Sequence, residues 1–288
     1  MTSASNPTTA SRMTPGSFAT SAVRHILLMT IAAFSLLPFA VMISTSIKPA
    51  DEIFSDTVRW WPQKLALIEN YSEALSAAPL ALYLLNGVIV TAAIFFLQVL
   101  VALPAAYALA KLRFVGRRIA FGFVLFCLLI PYHAIAVPLF IMLYFVGLLD
   151  SYSALVLPFS ISVFGIFLMR QFFMGVPDDL VDAARMDGMS ELSIVWRVML
   201  PAAIPALTAF GVFSVVAHWN DYFWPLIAVS SDRYFTPPLG VMAFRNAEAG
   251  TNFGPLMAAA TIIVAPLLAL FLLAQRRFIE GIAFTGIK

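Results

Sequence analysis

Charge is scarce in this chain. Only 11% of its 288 residues are Asp, Glu, Lys or Arg, against about 25% in soluble domains. A water-soluble core cannot absorb that excess of apolar surface. Cysteine is nearly absent: Cys127 stands alone, so no intrachain disulfide forms and the redox compartment stays unread. Inside an apolar run it reads as a small hydrophobe. The three histidines, His25, His133 and His218, are far apart in sequence and lack metal-ligand spacing. No G-x-x-x-x-G-K-[ST] phosphate loop occurs, so ATP hydrolysis is expected on another subunit, if ATP is used at all. No Ser/His/Asp set supports a membrane-embedded enzyme. No cofactor and no metal are expected. The net charge of +2 comes from residues lying mostly between apolar blocks, which gives no reason to expect a nucleic-acid partner.

What the chain does have is apolar length. Hydrophobic residues make up 61% of it, in blocks near the roughly 20 residues a helix needs to cross a bilayer. The expected fold is an all-α integral membrane protein with six transmembrane helices. The spans are placed at Ile26 to Ile47, Leu82 to Leu103 with an extension to Ala110, Ile119 to Leu143, Ser153 to Met169, Ala202 to Val229, and Pro255 to Ala274. Pro131 and Pro138 are expected to kink the third. The first run is too long for a signal-peptide core and no clear cleavage site follows it, so it reads as a retained span.

The domain reading follows. Residues 1–25 form a disordered tail, 26–47 the first span, 48–81 an external loop, 82–274 a core of five spans, and 275–288 a second tail. With the N-terminus in the cytoplasm, 12 of the 17 Lys and Arg residues fall on the inner side, which places both termini inside. In the external loop, Trp60 and Trp61 read as interface anchors or as part of a docking surface.

One cytoplasmic stretch breaks the pattern: "DLVDAARMDGMSELSIVWRVMLPAAIP", residues 179–205. Pro177, Asp178 and Asp179 open a helix, with acids against its positive end. Gly188 is placed to end it in a left-handed conformation. Ser190 caps a second helix with Glu191 in its first turn. Leu192, Val195, Trp196 and Met199 give that helix an apolar face. Ala183, Ala184 and Gly188 leave little bulk on the first helix, which invites the close approach of another protein. An amphipathic helix resting on lipid headgroups fits the same pattern equally well.

A resemblance separates the two. "DAARMDG…LP", with Asp182, Ala183, Ala184, Asp187, Gly188, Leu200 and Pro201, resembles the EAA loop of permease subunits of bacterial ATP-binding-cassette (ABC) importers. "AAYALAKLRFVGRR", Ala105 to Arg118, and "FGIFLMRQFF", Phe164 to Phe173, resemble flanking segments of that family. "HWNDYFWPL", His218 to Leu226, and "QRRFIEGIAFTGIK", Gln275 to Lys288, are similar to its carbohydrate-uptake branch. The likeness runs from about Ile26 to the C-terminus. Position 182 is Asp where the family usually has Glu, and the tail lacks the family's common final glycine.

The resemblance implies a type I ABC importer permease fold with a cytoplasmic coupling helix between spans 4 and 5. Asp182, Ala183, Ala184, Asp187, Gly188 and Pro201 would couple to the ATPase. The implied partners are an ATP-binding subunit dimer, a second, similar permease, an extracytoplasmic substrate-binding protein and membrane lipid. The implied location is the bacterial inner membrane, and the implied solute a sugar or a polyol derivative such as a glycerophosphate.

The rival is a secondary transporter driven by protons or sodium, which tends to carry ionisable groups at mid-membrane. Asp221 is the one acid inside a span, roughly 28 Å along a helix from Ala202 and so near the outer end. His133 lies nearer the middle of its span and has no acidic partner in the local sequence. His133, Trp219, Asn220 and Asp221 are candidates for the solute pathway or for contact with the binding protein. A helix end in the outer headgroups also accounts for the last three.

Overall fold

The structure, a computed structural model, describes residues 15–55, 59–246 and 250–286. Helix α1 spans Pro15–Ser46. Short helices α2 (Ala50–Ile53) and α3 (Leu67–Ala77) follow in the predicted external loop. Helix α4 (Leu80–Lys111) is the second span, with the predicted extension past Ala110. The third span is α5 (Arg117–Leu128) and α6 (Ala136–Val146). The fourth is α7 (Tyr152–Val156) and α8 (Val163–Met174). Helices α9 (Asp178–Met186), α10 (Glu191–Ile194) and α11 (Leu200–Ala202) form the polar loop. Then come α12 (Ile204–Trp219), α13 (Phe223–Ala228), α14 (Pro237–Gly240), a two-residue β-hairpin of β1 (Arg245–Asn246) and β2 (Gly250–Thr251), and α15 (Phe253–Gly286).

Among the described residues three single helices are long and apolar enough to cross a membrane, and three bent pairs raise the possible number to six. The first bend is the kink expected at Pro131, while the breaks in the fourth and fifth spans correct the reading of continuous spans. Between α5 and α6 the chain turns by 96°. Pro131 removes a backbone donor and keeps Ile130 from continuing the helix. Pro138 makes no kink, because it sits in the first turn of α6, where its missing N–H has no helical partner to lose. The fourth span bends by 41°. Pro158 lies in a 3-10 turn, and α8 restarts at Ser162, whose hydroxyl accepts the Gly165 N–H at 3.0 Å. The third bent pair joins Glu191–Ala202 to Ile204–Trp219 at 84°, and the predicted fifth span divides again beyond it. Helix α12 stops at Trp219, after about 24 Å of rise, and the chain resumes helically only at Phe223.

Two smaller corrections concern the ends. Residues 15–25, expected to be disordered, belong to α1; residues 1–14 lie outside those described. The expected tail at 275–288 continues α15 as far as Gly286.

Helix α4 is the axis of the bundle, packing mainly on α8 and also on α12. Leu103, Ala106 and Tyr107 of α4 meet Met169 and Phe173 of α8, together with Ile194, Val195 and Met199 from the loop. Gly165 lets α8 approach α12 closely: a Cβ there would lie 2.6 Å from the Phe210 ring, the small-residue contact that brings membrane helices together. Helix α1 packs on α15 and leaves most of its apolar surface open, as a lipid-facing helix does.

Candidate functional site

The structure builds two sites. The first is the polar loop. Gly188 has φ +77°, so the predicted left-handed stop to α9 is present. The Met189 N–H reaches the Ala184 carbonyl at 3.1 Å and the Gly188 N–H the Arg185 carbonyl at 2.9 Å. These bonds satisfy the helix's last carbonyls. The Ser190 hydroxyl accepts the Ser193 N–H at 3.3 Å, as a cap should. The chain then takes a π turn at Val195–Met199. The wider turn makes room for the Pro201 ring, which would otherwise press on the carbonyl of Arg197.

The loop has an inner and an outer face. Val181 and Ala184, with Ile194, Val195 and Met199, join the core against α4 and α8. That side is therefore buried in protein, while Leu180, Met186 and Leu192 stay exposed. Two expectations change here. Ala184 is 6% exposed and turned inward, so it does not help clear the outer surface. Ile194 takes the buried place expected for Leu192, which is 59% exposed. Asp182, Ala183, Asp187 and Gly188 are exposed, as is Met186 at 88%. Pro201 is exposed too, but on α11, beyond the π turn.

Ionic contacts fix the loop to α4. Lys111 donates to Asp178 at 2.5 Å and to the Val176 carbonyl at 2.5 Å. Arg185 donates to Asp182 at 2.9 Å and to Glu191 at 2.9 Å. The Tyr107 hydroxyl donates to the same Glu191 carboxylate. The Lys111 ammonium holds the Asp178 carboxyl below its usual range. Arg185, and after it Tyr107, do the same for Glu191, while Glu191 holds the Arg185 guanidinium more firmly protonated.

The second site is a cavity of about 530 Å³ within the spans. Its lining includes Gln98, Tyr132, His133, Ser162, His218 and Asp221. Tyr132 and His133 follow the break in the third span, Ser162 ends the break in the fourth, and Asp221 lies in the break of the fifth. Gln98 of α4 ties these walls together. Its Nε2 donates to the Phe159 carbonyl at 3.0 Å and lies 3.2 Å from His218 Nε2; its Oε1 accepts the Ser214 hydroxyl at 2.6 Å. With both amide hydrogens used in this way, His218 Nε2 is an acceptor and the ring is neutral. The Asp221 carboxylate accepts the Trp224 N–H at 3.2 Å. Among the described residues the Tyr132 hydroxyl is buried without a hydrogen-bond partner.

Of the four pathway candidates, the structure brings together His133 and Asp221. His133 therefore has an acid on the same cavity, which local sequence did not show, and His133 and His218 share that cavity although 85 residues separate them. Trp219 is 4% exposed and donates to the Ile263 carbonyl at 3.2 Å, packing on α15. Asn220 is exposed and caps its own helix through Val216 at 2.8 Å. Asp221 is partly buried, which excludes a fully solvated helix end. Sequence reading missed Gln98, Tyr132 and His218. The amide of Gln98, in the middle of an apolar run, was the available signal.

Comparison with known proteins bears on the family and the fold. The model of the family described as "Binding-protein-dependent transport system inner membrane component" matches residues 98–283. The arabinooligosaccharides transport system permease protein AraQ of Halalkalibacterium halodurans is 33% identical over 261 residues, 90% of this chain and 93% of that protein. The sn-glycerol-3-phosphate transport system permease protein UgpE of Yersinia pestis is 30% identical over 264 residues, 90% of this chain and 94% of that one. A crystal structure of a bacterial ABC transporter involved in import of the acidic polysaccharide alginate contains a chain with the same fold. The TM-score is 0.81 at 24% identity, covering 93% of this chain and 99% of that one.

Proposed function

The chain belongs to the binding-protein-dependent transport system inner membrane components, and from that premise we propose that its two sites are the two ends of one coupling path. It is a multi-pass permease subunit of an ABC importer. The exposed face of α9, with Asp182, Ala183, Asp187 and Gly188, docks on a separate ATP-binding subunit, which hydrolyses ATP. Ala184 seats that helix on the bundle, and Pro201 shapes the return to the membrane. The cavity around Gln98, His133, His218 and Asp221 is this chain's part of the solute route. A second, similar permease supplies the opposite wall, and an extracytoplasmic binding protein delivers the solute. Both termini are cytoplasmic.

One observation supports the route above all: three interrupted spans converge on one cavity, where Gln98, His133, His218 and Asp221 stand among apolar walls. Backbone leaving a helix within a membrane must be covered by protein or must line a water-filled space, because lipid cannot bond its free N–H and C=O groups. The solute is a sugar or a polyol derivative such as a glycerophosphate. AraQ and UgpE, named for an arabinooligosaccharide and for sn-glycerol 3-phosphate, support that class.

Cysteine labelling tests the arrangement in the assembled complex, with Cys127→Ala as background. Lys64→Cys and Arg24→Cys should react from opposite sides of the membrane. His133→Cys should react with a small water-borne thiol reagent. Labelling of positions 64 and 24 from one side would overturn the topology, and an unreactive position 133 would overturn the route.

A further inference from the structure

The turn between α4 and α5 belongs to neither site. It forms a notch of about 630 Å³ lined by Arg113, Phe114, Gly116, Arg117, Arg118 and Ile119. Gly116, at φ +87°, reverses the chain so that α5 begins directly after it. Arg117 is partly committed to the fold, donating to the Leu112 carbonyl at 3.0 Å. Among the described residues none of the three arginines forms an ion pair. Asp178 feels the charge of Arg113 but is bonded to Lys111. Beside the guanidinium groups stand apolar side chains open to the surroundings: Phe114 is 45% exposed, Val115 102% and Ile119 80%.

Each half of this surface excludes a simple occupant. A soluble anion would account for the arginines but would leave Phe114, Val115 and Ile119 in water. Uncharged lipid would cover those three but leave three cations without a counter-charge at a membrane boundary. A molecule with an anionic phosphate at one end and hydrocarbon at the other satisfies both. Arginine forks match phosphate oxygens in pairs, and basic pockets between membrane helices suit lipid headgroups. We propose that this notch binds an anionic phospholipid. Arg113 and Arg118 hold the phosphate, Arg117 shapes the floor, and Phe114, Val115 and Ile119 lie among the acyl chains. Neither the identity of the solute nor the docking of α9 enters this inference.

The test uses the whole importer complex in nanodiscs of phosphatidylcholine containing a photo-crosslinking phosphatidylglycerol, with the modified peptides mapped by mass spectrometry. Crosslinks should concentrate on residues 113–119. Arg113→Gln with Arg118→Gln should lower them at least about fivefold, as expected for losing two cations at a charged membrane surface. The Arg→Lys pair should retain most of them, and gel filtration should show both variants assembled. On the unaltered complex, excess phosphatidylglycerol should erase the crosslinks and excess phosphatidylcholine should not. Erasure by phosphatidylcholine, or crosslinks spread evenly along the apolar helices, would mean ordinary surrounding lipid and would overturn the proposal. Erasure by millimolar inorganic phosphate would instead mark a free-anion site. Crosslinks that appear only after the ATPase subunit is removed would mark a protein-docking surface, and would overturn it equally.

Discussion

The hydroxyl of Tyr107, near the end of α4, donates to the carboxylate of Glu191 at the start of α10. Nine residues earlier on the same helix, on the other side of Pro104 and roughly 13 Å away, Gln98 binds the walls of the cavity. One helix thus touches the proposed docking loop and the proposed solute route. Tyr107→Phe removes a hydrogen bond to a charged group, about 1.5–3 kcal/mol, and leaves Arg185 on Glu191. The complex should assemble and hydrolyse ATP while uptake per ATP falls several-fold. Parallel measurement of phosphate release and solute uptake checks it; an unchanged ratio would remove Tyr107 from the coupling path.

Gly188→Val should abolish uptake while the protein still reaches the membrane. No atom lies within 4 Å of where the new Cβ would stand, so nothing in the fold clashes with it. The cost is a β-branched residue in a left-handed conformation, roughly 1–2 kcal/mol, plus bulk on the docking face. Normal uptake by this variant would exclude α9 as the docking helix.

Protonation should loosen the loop only in acid. The Glu191 and Asp178 carboxyls are both held below their ordinary range by their cationic partners. Their contribution is therefore complete above the unfolded carboxyl values, about 4, and disappears as pH falls through the lower folded values. Hydrogen exchange of residues 178–191 should be flat in protection between pH 5 and 8, after correction for intrinsic rates, and should rise below about pH 4. Glu191→Gln should weaken protection at neutral pH and shrink the acid step, leaving the part due to Asp178. A step near neutrality would contradict this assignment.

Asp221→Asn keeps size and some hydrogen bonding but removes the charge from the cavity wall. Uptake should fall about tenfold or more while the complex stays assembled and its ATPase active; an interaction lost at a desolvated charged site is worth about 1.5–3 kcal/mol. The pH dependence of uptake should not change, because ATP supplies the drive. Uptake measured at two pH values checks both halves, and a near-silent substitution would place Asp221 outside the route.

The loop was legible because its signals are local. Gly188 after Met186, Ser190 before Glu191 and the acids after Pro177 each act within one turn of helix. The cavity was not legible, because His133 and Asp221 are 88 positions apart in the sequence and meet only through tertiary packing. The break near Leu129 was legible as a kink at Pro131, though its 96° size was not. The break near Ser160 was hidden because Pro158, Ser160 and Ser162 alternate with apolar residues inside a long apolar run. Proline alone did not decide a break: Pro131 breaks a span, whereas Pro138, seven residues later, fits a helix's first turn. Asn220 and Asp221 gave a polar signal, but it fitted a helix end in the headgroups as well as a cavity wall.

The most direct test of the account is uptake by the complete importer in proteoliposomes, with its binding protein outside and ATP inside. Arabinotriose and sn-glycerol 3-phosphate serve as solutes, each supplied with its matching binding protein. Uptake of one of them should require internal ATP, persist with a proton and sodium uncoupler, and vanish in Gly188→Val. Uptake that proceeds without ATP and collapses with the uncoupler would contradict the account.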